Sequence, residues 1–376
     1  MKIALFTDSF LPGIGGTENV VLRLGEELSK NHEVMVFAPD YHREFADDKL
    51  PFKVVRSKSI GVSKSDFWAL PALSKNVKQA INEFKPDIVH SHTQGMLADY
   101  ANKYAKKNNI PSVTTAHTKF SYCYKHALKL PFLVKPVMLR IGRRVKDADR
   151  VTAVSASMKE EIALYGVKDK EITVIRNGSD CKIREKVDKA RNDRFALLYV
   201  GYIINYKNLK FSLDCLKELK ERGRDFIFNM IGRGPSEKSI KRYIKKLGLT
   251  DNVIMNGAVT NRAVLDEIYA KSDLFLFTSI FDSDGLVTTE AAGMETPSLV
   301  LEGTGASEKF TDGVTGFMAK NSVKGVADKI EELMDDPEKL TSVGKTAKKI
   351  IIPWTEITKQ YEKIYIEEIE KKKKDC

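Results

Sequence analysis

Residues 279–297 have the sequence SIFDSDGLVTTEAAGMETP, and the fold is predicted from this stretch and its neighbours. Before it, residues 273–279 (DLFLFTS) form a short apolar run bounded by turn formers, which is typical of a buried strand. After Gly285, the segment LVTTEAAGM predicts the start of a helix. Glycine lets backbone approach a ligand there, and the unpaired N–H groups of a helix start favour an anion. The stretch therefore predicts an anion site at the end of a buried strand.

Two acidic residues flank this predicted site, Asp282 in the loop and Glu290 in the helix. A carboxylate in the helix can chelate the diol of a ribose, and one in the loop can reach sugar hydroxyls on the other side of a phosphate. The pair suits a nucleotide-sugar, which has a phosphate between two polyols. The alternative is structural: Asp282 and Asp284 cap the helix, and Glu290 is a solvated helix residue.

The size and composition of the chain limit its class. Its 376 residues favour two domains, and its 42% hydrophobic content is enough for a sizeable core. No run of about 18 apolar residues occurs, so no membrane span is predicted. The first residues, MKIALFTDSFLPG, do not predict a signal peptide, because Asp8 interrupts the apolar run. The four cysteines are widely scattered and match no metal or disulfide pattern, which favours a reducing cytoplasm.

The net charge of +11 is concentrated in the first half of the chain. Residues 1–180 contain 28 Lys and Arg against 20 Asp and Glu, a net of +8, whereas the remainder has 34 against 31, a net of +3. Such an excess suits an anionic lipid surface, nucleic acid, or solubility alone. No nucleic-acid-binding motif accompanies it, so we expect no nucleic-acid partner and rank the lipid surface and solubility first.

The order of elements predicts an α/β protein. Residues 3–9 form a strand-like segment, followed by a Gly-rich loop with Gly15 and Gly16, a helical segment and a second strand, which is the first unit of a doubly wound parallel sheet. The loop matches neither GxGxxG nor GxxxxGK[ST], so it supports neither a standard dinucleotide site nor a P-loop. A second α/β series begins at residue 195. We expect residues 1–180 and 195–354 to form two such domains facing across a ligand cleft, with residues 181–194 as the linker.

Three histidines lie at or near the predicted carboxyl ends of strands, where open α/β sheets bind ligands: His90, His92 and His117. His117 ends the strand PSVTTAHT, and a neutral imidazole there suits a sugar hydroxyl or a leaving phosphate. The alternative is that these histidines are structural and satisfied by the backbone. Further along, Ser155 or Ser157 is predicted to cap a helix, with Glu160 or Glu161 completing a capping box.

Residues 119–150 combine nine Lys or Arg and two Asp with many aromatic and aliphatic residues. This combination suits a pair of interfacial helices on an anionic bilayer, and the alternative is a pair of inward-packing helices with a solvated basic face. The membrane interpretation assigns Lys135, Arg140, Arg143 and Arg144 to the lipid surface or the acceptor.

The second α/β series places basic residues near strand ends. Lys207 and Lys210 begin a helix after the strand at residues 195–201, and Arg233 lies between two glycines after the next strand. A cation at such a position can neutralise a diphosphate.

The ordered set of motifs resembles the retaining family 4 glycosyltransferases, which have the GT-B fold of two Rossmann-like domains. The resemblance extends over essentially the whole chain: GIGGTENVVLRL, PDIVHSHT, AHT, VSASMKEEI, VIRNGSD, LLYVGYIINYKN, DSDGLVTTEAAGMETPSLV and PWTEITKQYEKIY follow in the family's order. DSDGLVTTE is similar to the family's hallmark, in which two glutamates are separated by seven residues. The last motif is similar to a final helix, here about residues 355–376, that returns to the N-terminal domain.

The resemblance implies a role for each matching residue. Glu290 would bind the nucleotide ribose, and Asp282 would hold hydroxyls of the transferred sugar. Lys207, Arg233 and the backbone at Gly285 and Leu286 would bind the diphosphate of a UDP-sugar. Gly15 and Gly16 would border the donor phosphates, and His117 would line the site near the sugar, so His117 and Asp282 are the candidate catalytic residues. The family is thought to retain configuration by front-face attack, and no cofactor or metal is expected.

Two residues depart from the family pattern. Tyr202 stands where an Arg usually follows the glycine of the strand end, so Arg233 or Lys210 would have to replace that cation. Asp282 replaces the first glutamate of the hallmark and is one methylene shorter. Asp282 and Asp284 also match a DxD metal motif, which belongs to the other glycosyltransferase fold and is interpreted as chance.

The resemblance also predicts an acceptor. The HTKF segment and the helices after it look most like enzymes that glucosylate diacylglycerol, so we expect a cytoplasmic hexosyltransferase that is peripheral on the inner face of the membrane. A transferase for polysaccharide or cell-wall glycan, using a saccharide or lipid-linked acceptor, is the alternative. A third possibility, suggested by Tyr202, is a catalytically weak membrane-associated binding protein of the same fold.

Overall fold

The computed structural model describes residues 1–13, 15–62, 67–127, 132, 134–181, 183 and 194–374. The chain forms two compact units, one of Met1–Gly178 with Pro353–Cys376 and one of Ser179–Ile352. Most of the predicted linker, residues 182 and 184–193, lies outside the described residues.

A seven-stranded parallel sheet forms the centre of the N-terminal unit, in the order β3-β2-β1-β6-β7-β8-β9. Its central strands are buried on both faces, as parallel sheets covered by helices require, and β1 and β2 are mainly apolar. A separate two-stranded antiparallel hairpin, β4–β5, follows β3. The strands are β1 (Lys2–Phe6), β2 (Glu33–Pro39), β3 (Lys53–Ser57), β4 (Ser59–Gly61), β5 (Phe67–Ala69), β6 (Ile88–Ser91), β7 (Ser112–Ala116), β8 (Arg150–Ala153) and β9 (Ile172–Val174).

In the part of this unit that the structure describes, six α-helices connect the strands. The residues buried on them recur at helical spacing, as in α2, where Val77, Ala80, Ile81 and Phe84 form the inner face. The helices are α1 (Gly16–Leu28), α2 (Lys75–Phe84), α3 (Met96–Lys107), α4 (Phe120–Ala127), α5 (Val134–Lys146) and α6 (Ala156–Leu164).

The C-terminal unit repeats the architecture with a six-stranded parallel sheet in the order β12-β11-β10-β13-β14-β15. One continuous core, including Phe226, Phe228, Phe275 and Phe277, lies between this sheet and its helices. The elements are β10 (Phe195–Val200), β11 (Phe226–Ile231), β12 (Val253–Gly257), β13 (Leu274–Phe277), β14 (Ser298–Leu301) and β15 (Phe317–Ala319), with α7 (Leu209–Glu221), α8 (Glu237–Lys246), α9 (Arg262–Ala270), α10 (Leu286–Gly293), α11 (Val323–Asp335) and α12 (Pro337–Ala347).

The last helix, α13 (Trp354–Lys374), belongs to the N-terminal unit. Trp354 packs closely on Gly178, where a Cβ atom would come within 2.6 Å of the indole ring. Glu362 accepts a hydrogen bond from His32 at 2.8 Å, and the buried Tyr361 and Tyr365 reach the sheet.

The predicted α/β class with two parallel-sheet domains is confirmed. The opening stretch folds as the sequence indicates, with strand β13 leading through Gly285 into helix α10. Within the described residues, no helix is both long and apolar enough to cross a membrane.

Candidate active site

The loops at the carboxyl ends of β10 and β11 are drawn together by close backbone packing. A Cβ atom on Gly232 would lie 1.8 Å from the carbonyl oxygen of Gly201, and one on Gly234 would lie 2.2 Å from that of Ile203. Gly201 and Gly232 also have positive φ angles of 155° and 144°. Glycine is required here for steric reasons, and the result is a surface of backbone at the strand ends.

Lys207 and Asp282 form an ion pair at this edge of the sheet. Lys207 ends a short 3-10 helix before α7, and its ammonium contacts Oδ1 of Asp282 in the loop after β13. The side chains are only 18% and 17% exposed. Oδ2 of Asp282 is buried and has no hydrogen-bond partner among the described residues. A buried carboxylate oxygen in this state favours a donor such as a sugar hydroxyl.

Asp284 has a different partner. Its Oδ1 lies 2.8 Å from Nζ of Lys309, and these two side chains are 7% and 1% exposed. Lys309 also donates to the carbonyl of Gly285 at 3.4 Å. The buried pair therefore fixes the residue that begins α10. Gly285 itself is left-handed, with φ 67° and ψ 59°, and a Cβ atom there would lie 3.0 Å from both Phe277 and Ala306.

The alternative interpretation of the two aspartates as helix caps is wrong. The N-cap of α10 is Gly285, which has no side chain to accept from the first turn. The N–H of Thr288 donates to the carbonyl of Gly285 at 2.9 Å, and the N–H groups of Leu286 and Val287 before it can present partial positive charge to an anion.

Glu290 is held by residues of α9 rather than solvated. Tyr269 donates its hydroxyl to Oε2 at 3.1 Å, and Nη1 of Arg262 lies 3.1 Å from Oε1. Arg262 is in turn bound by Asp266 at 2.7 Å. Burial and the nearby Glu290 carboxylate raise the pKa of Tyr269 well above its usual value, so the phenol keeps the proton that it donates. The carboxylate is thus oriented in advance and still 25% exposed.

The other two predicted cations, Lys210 and Arg233, lie in different surroundings. The ammonium of Lys210 lies over the ring of Tyr243, 5.5 Å from its centroid, on the side of α8. Arg233 is exposed after β11, and its Nε is 3.7 Å from the position of a Cβ on Gly257. Tyr202 is 50% exposed. Of the residues named to replace the missing arginine, Arg233 is therefore the one that reaches the carboxyl edge of the sheet.

The three histidines of the N-terminal unit form a buried row. Both ring nitrogens of His90 are engaged, Nδ1 with the hydroxyl of Tyr365 at 2.6 Å and Nε2 with that of Thr115 at 2.7 Å. His92 Nδ1 lies 3.2 Å from His117 Nε2, while His92 Nε2 is buried without a partner among the described residues. His90 therefore has a structural role, whereas His92 keeps its unpartnered Nε2 after β6, and His117 lies at the carboxyl end of β7.

The predicted capping box is partly wrong. Ser155 does cap α6, accepting from the N–H of Met158 at 3.2 Å. Glu161, however, is buried and accepts from the N–H and hydroxyl of Ser121, each at 2.8 Å, and from Tyr165 at 2.8 Å. The Glu161 carboxylate therefore holds the start of α4 and does not cap a helix.

Helix α5 has an apolar inner face and a basic outer face. Met138, Ile141 and Val145 are buried, while Lys135, Arg140 and Arg143 are exposed. Leu139 is 49% exposed beside them, and Phe132 just before the helix is 70% exposed.

Arg144 is committed to the fold. It donates to the carbonyl of Gln94 at 2.8 Å. Burial raises the pKa of Asp8, and the positive charge of Arg144 acts in the opposite direction. The predicted membrane set of four cations is therefore reduced to three.

The loop with Gly15 and Gly16 already holds an anion. Ser9 donates its hydroxyl to Oε1 of Glu18, and a Cβ on Gly15 would lie 2.4 Å from Oε2 of the same carboxylate. A carboxylate at the start of α1 competes with a phosphate for that helix end. The contact of these glycines with donor phosphates stays a prediction.

Sequence reasoning missed the residues that support the site. Arg262, Asp266 and Tyr269 recur at positions i, i+4 and i+7 of α9, so their common face was available from spacing. Lys309 gave no such signal.

Comparison with known proteins identifies the family. Residues 14–182 match the model of Glycosyltransferase Family 4, and residues 182–350 match the model of Glycosyl transferases group 1. The chain belongs to the family 4 glycosyltransferases. Together the two models extend over most of both units, and the predicted membership is confirmed.

Several known proteins are similar to this glycosyltransferase over most of its length. It is 25% identical over 401 residues to the alpha-monoglucosyldiacylglycerol synthase of Acholeplasma laidlawii, with 100% of this chain and 99% of that protein covered. It is 26% identical over 322 residues to the putative glycosyltransferase EpsD of Bacillus subtilis, covering 82% and 83%. Among solved structures, Anabaena Alr3699/HepE in complex with UDP matches with a TM-score of 0.75 at 18% identity, covering 97% and 99%.

The buried histidines give this glycosyltransferase a pH-dependent stability. Burial, together with the neighbouring histidines, lowers the pKa of His92 well below 6.5, and burial and His117 do the same for His90. The unfolded chain therefore binds protons below pH 6.5 that the folded chain does not, so stability should fall as the pH falls through this range. Urea unfolding followed by fluorescence of the buried Trp354 should show a lower midpoint at about pH 5.5 than at about pH 7.5.

The His92→Gln variant should lose part of this pH dependence, because its side chain does not titrate. His42→Gln is the matched control, since His42 is 57% exposed, and it should leave the pH dependence unchanged. If the urea midpoint of the wild type is the same at both pH values, the lowered pKa values of His90 and His92 are contradicted.

Proposed function

We propose that the chain transfers a hexosyl group, glucose in the first instance, from a UDP-sugar to a lipid acceptor such as diacylglycerol at a membrane surface, with retention of configuration. The observation that supports donor binding is the set of oriented carboxylates around the start of α10. Glu290 is held by Tyr269 and Arg262, and Asp282 is held by Lys207. A ribose at one carboxylate and a sugar at the other leave the diphosphate between them.

Lys207 neutralises the diphosphate in this proposal. Its ammonium has three donors, so it can contact phosphate oxygens while it still contacts Asp282. The N–H groups at Gly285 and Leu286 add partial positive charge, and Arg233 supplies the second full charge in place of the absent arginine. These groups stabilise the UDP leaving group as the sugar–phosphate bond breaks.

Asp282 orients the sugar. Its free oxygen Oδ2 accepts a hydroxyl hydrogen of the hexose, which satisfies a buried atom and selects sugars with a hydroxyl at that position. In this proposal His117 would lie near the transferred sugar. The donor phosphate takes the acceptor proton on the face from which UDP departs, so no enzyme nucleophile is needed.

The lipid acceptor is supported by the outer face of α5 and by the full-length similarity to a monoglucosyldiacylglycerol synthase. Incubation with radiolabelled UDP-glucose and dioctanoylglycerol in detergent micelles tests it. Labelled lipid product supports the proposal. Label transferred only to a saccharide or lipid-linked saccharide favours the glycan alternative, and no transfer to any acceptor favours a binding protein.

The Glu290→Gln variant should bind UDP more weakly by about 1.5–3 kcal/mol, because a charge-assisted contact with the ribose diol is lost. Titration calorimetry with free UDP measures this. Glu331→Gln on α11 is a control at an acidic residue whose partner is Arg222 rather than the proposed site. Unchanged UDP affinity in the Glu290 variant would remove Glu290 from the donor site.

Turnover should need no divalent ion. The two aspartates of the DxD sequence are each paired with a lysine, Asp282 with Lys207 and Asp284 with Lys309. The phosphates have Lys207 and helix N–H groups as partners. The rate of labelled-glucose transfer should be unchanged by excess EDTA. Loss of turnover with EDTA and recovery with Mg²⁺ or Mn²⁺ would return both aspartates to consideration as metal ligands.

The triple variant Lys135→Ser, Arg140→Ser, Arg143→Ser should bind anionic vesicles more weakly. Each cation near such a surface contributes about 1 kcal/mol, so the loss is at least about tenfold at low salt. Co-sedimentation with vesicles of phosphatidylglycerol and phosphatidylcholine measures it.

The matched control removes three exposed lysines of α8, Lys238, Lys241 and Lys245, which changes the net charge equally. This control should bind vesicles like the wild type, and both variants should bind UDP normally. An equal loss in the two triple variants would reduce the effect to net charge and contradict a role for α5.

A further inference from the structure

The hairpin β4–β5 has an inner face that is fixed to the N-terminal unit. Phe67 packs against Tyr41 with ring centroids 5.0 Å apart, and Ala69 is fully buried. The hydroxyl of Ser59 donates to the carbonyl of Asp40, and Ser59 accepts through its own carbonyl from His42 at 3.2 Å. The hairpin is therefore held in one orientation.

Its outer face is apolar and exposed. Ile60 and Trp68 are directly paired across the two strands, and they are 58% and 67% exposed. Val62, two residues after Ile60, is 52% exposed, and Leu73, in the turn after β5, is 65% exposed. Burial of side chains of this kind is favourable, and the folded chain leaves these four exposed. An exposed aliphatic and aromatic group of this kind marks an interaction surface.

Two lysines border this group. The N–H of Leu70 donates to the carbonyl of Lys58 at 2.6 Å, and the N–H of Lys58 donates to the hydroxyl of Ser74 at 2.8 Å. These bonds place Lys58 beside the turn that contains Leu73 and beside Lys75, the first residue of α2. Both lysines are exposed. The surface thus combines a tryptophan, aliphatic side chains and positive charge, which is the composition of elements that enter the headgroup region of anionic bilayers.

The hairpin also lies near the edge of the seven-stranded sheet at which the strands have their carboxyl ends, and open α/β sheets bind ligands at that edge. It begins at Ser59, immediately after the carboxyl end of β3 at Ser57. His92 and His117 follow β6 and β7 at the same edge, and α4 starts there as well. A bilayer that contacts this edge brings its headgroups to the side of the sheet where an acceptor is bound.

We propose that Ile60, Val62, Trp68 and Leu73, with Lys58 and Lys75, form a membrane-inserting surface that enters the headgroup region of an anionic bilayer. The proposal rests on the proposed lipid acceptor and adds a second element to α5. The outer face of α5 supplies mainly charge, whereas the hairpin supplies apolar side chains that enter the lipid.

A second copy of the chain fits this surface less well. A two-fold symmetric contact would bring Lys58 and Lys75 near their own copies, with like charges opposed. Four exposed side chains also bury much less than the about 800 Å² per partner of a stable interface.

Tryptophan fluorescence tests the insertion directly. The chain has two tryptophans, and the other one, Trp354, is only 3% exposed. Vesicles of equal parts phosphatidylglycerol and phosphatidylcholine should shift the emission of the full chain to shorter wavelength and protect it from acrylamide. Lipids brominated on their acyl chains should quench it. In the Trp68→Phe variant all three changes should disappear, while co-sedimentation is largely kept because the ring is retained.

The double variant Ile60→Ser, Trp68→Ser should reduce the vesicle partition coefficient by about tenfold or more. Leu164→Ser is the matched control, since Leu164 is 65% exposed on α6 of the same unit, and it should bind as the wild type does. Normal UDP binding by the double variant verifies that it is folded.

The outcomes separate this proposal from the proposed function. Vesicle binding without any change in Trp68 emission would overturn the hairpin surface, and the lipid acceptor would stand with α5 alone. If the wild type self-associates, and if rising protein concentration rather than vesicles protects Trp68 from acrylamide, a second copy of the chain covers the hairpin. That result would overturn the membrane-inserting surface. Insertion of Trp68 together with no transfer to dioctanoylglycerol in micelles would support the hairpin surface and contradict the acceptor.

Discussion

The candidate site depends on the buried ion pair between Asp284 and Lys309. Both side chains are nearly inaccessible, and their separation of 2.8 Å helps to offset the cost of removing two charges from water. Lys309 extends this contact to the carbonyl of Gly285, so the pair fixes the loop after β13 and the start of α10 together. The positions of Asp282 on that loop and Glu290 on that helix follow from it. A buried pair of this kind contributes more to a single loop conformation than to overall stability.

The part of the site that was predicted is the part encoded locally. An apolar run, a glycine and a helix start specify β13, Gly285 and α10 without knowledge of any distant residue. The partners of the two site carboxylates come from other elements: Lys207 is 75 positions from Asp282, and Tyr269 is 21 from Glu290. Lys207 was found only because it follows a strand, and Tyr269 looked like an ordinary apolar residue of an amphipathic helix. The packing of elements decides such contacts, and it is not present in a local pattern.

Two other elements show why local patterns were misleading. Glu161 stands at a position typical of a helix start, yet it is turned inward because Ser121 and Tyr165 satisfy it there. The strands β4 and β5 have three residues each, too few for alternation of polar and apolar residues to be recognised. Their apolar residues therefore give no local sign of a hairpin, and helix α2 begins only at Lys75. In both cases a tertiary contact, rather than propensity, decides the structure.

The basic residues in the first half of the chain fall into two groups in the structure, those with partners inside the fold and those that are exposed. Two arginines have partners within the folded chain: Arg144 donates to the carbonyl of Gln94, and Arg56 forms an ion pair with Asp47. The cations that remain on α5 and beside the hairpin are exposed and have apolar side chains next to them. Positive charge attracts such a surface to an anionic bilayer over about a Debye length, whereas apolar side chains contribute only when they contact the lipid. Salt should therefore weaken the approach to a bilayer more than the insertion of Trp68. Two contributions of different range would make the proposed attachment reversible, which suits the proposed transfer from a water-soluble donor to an acceptor in the lipid.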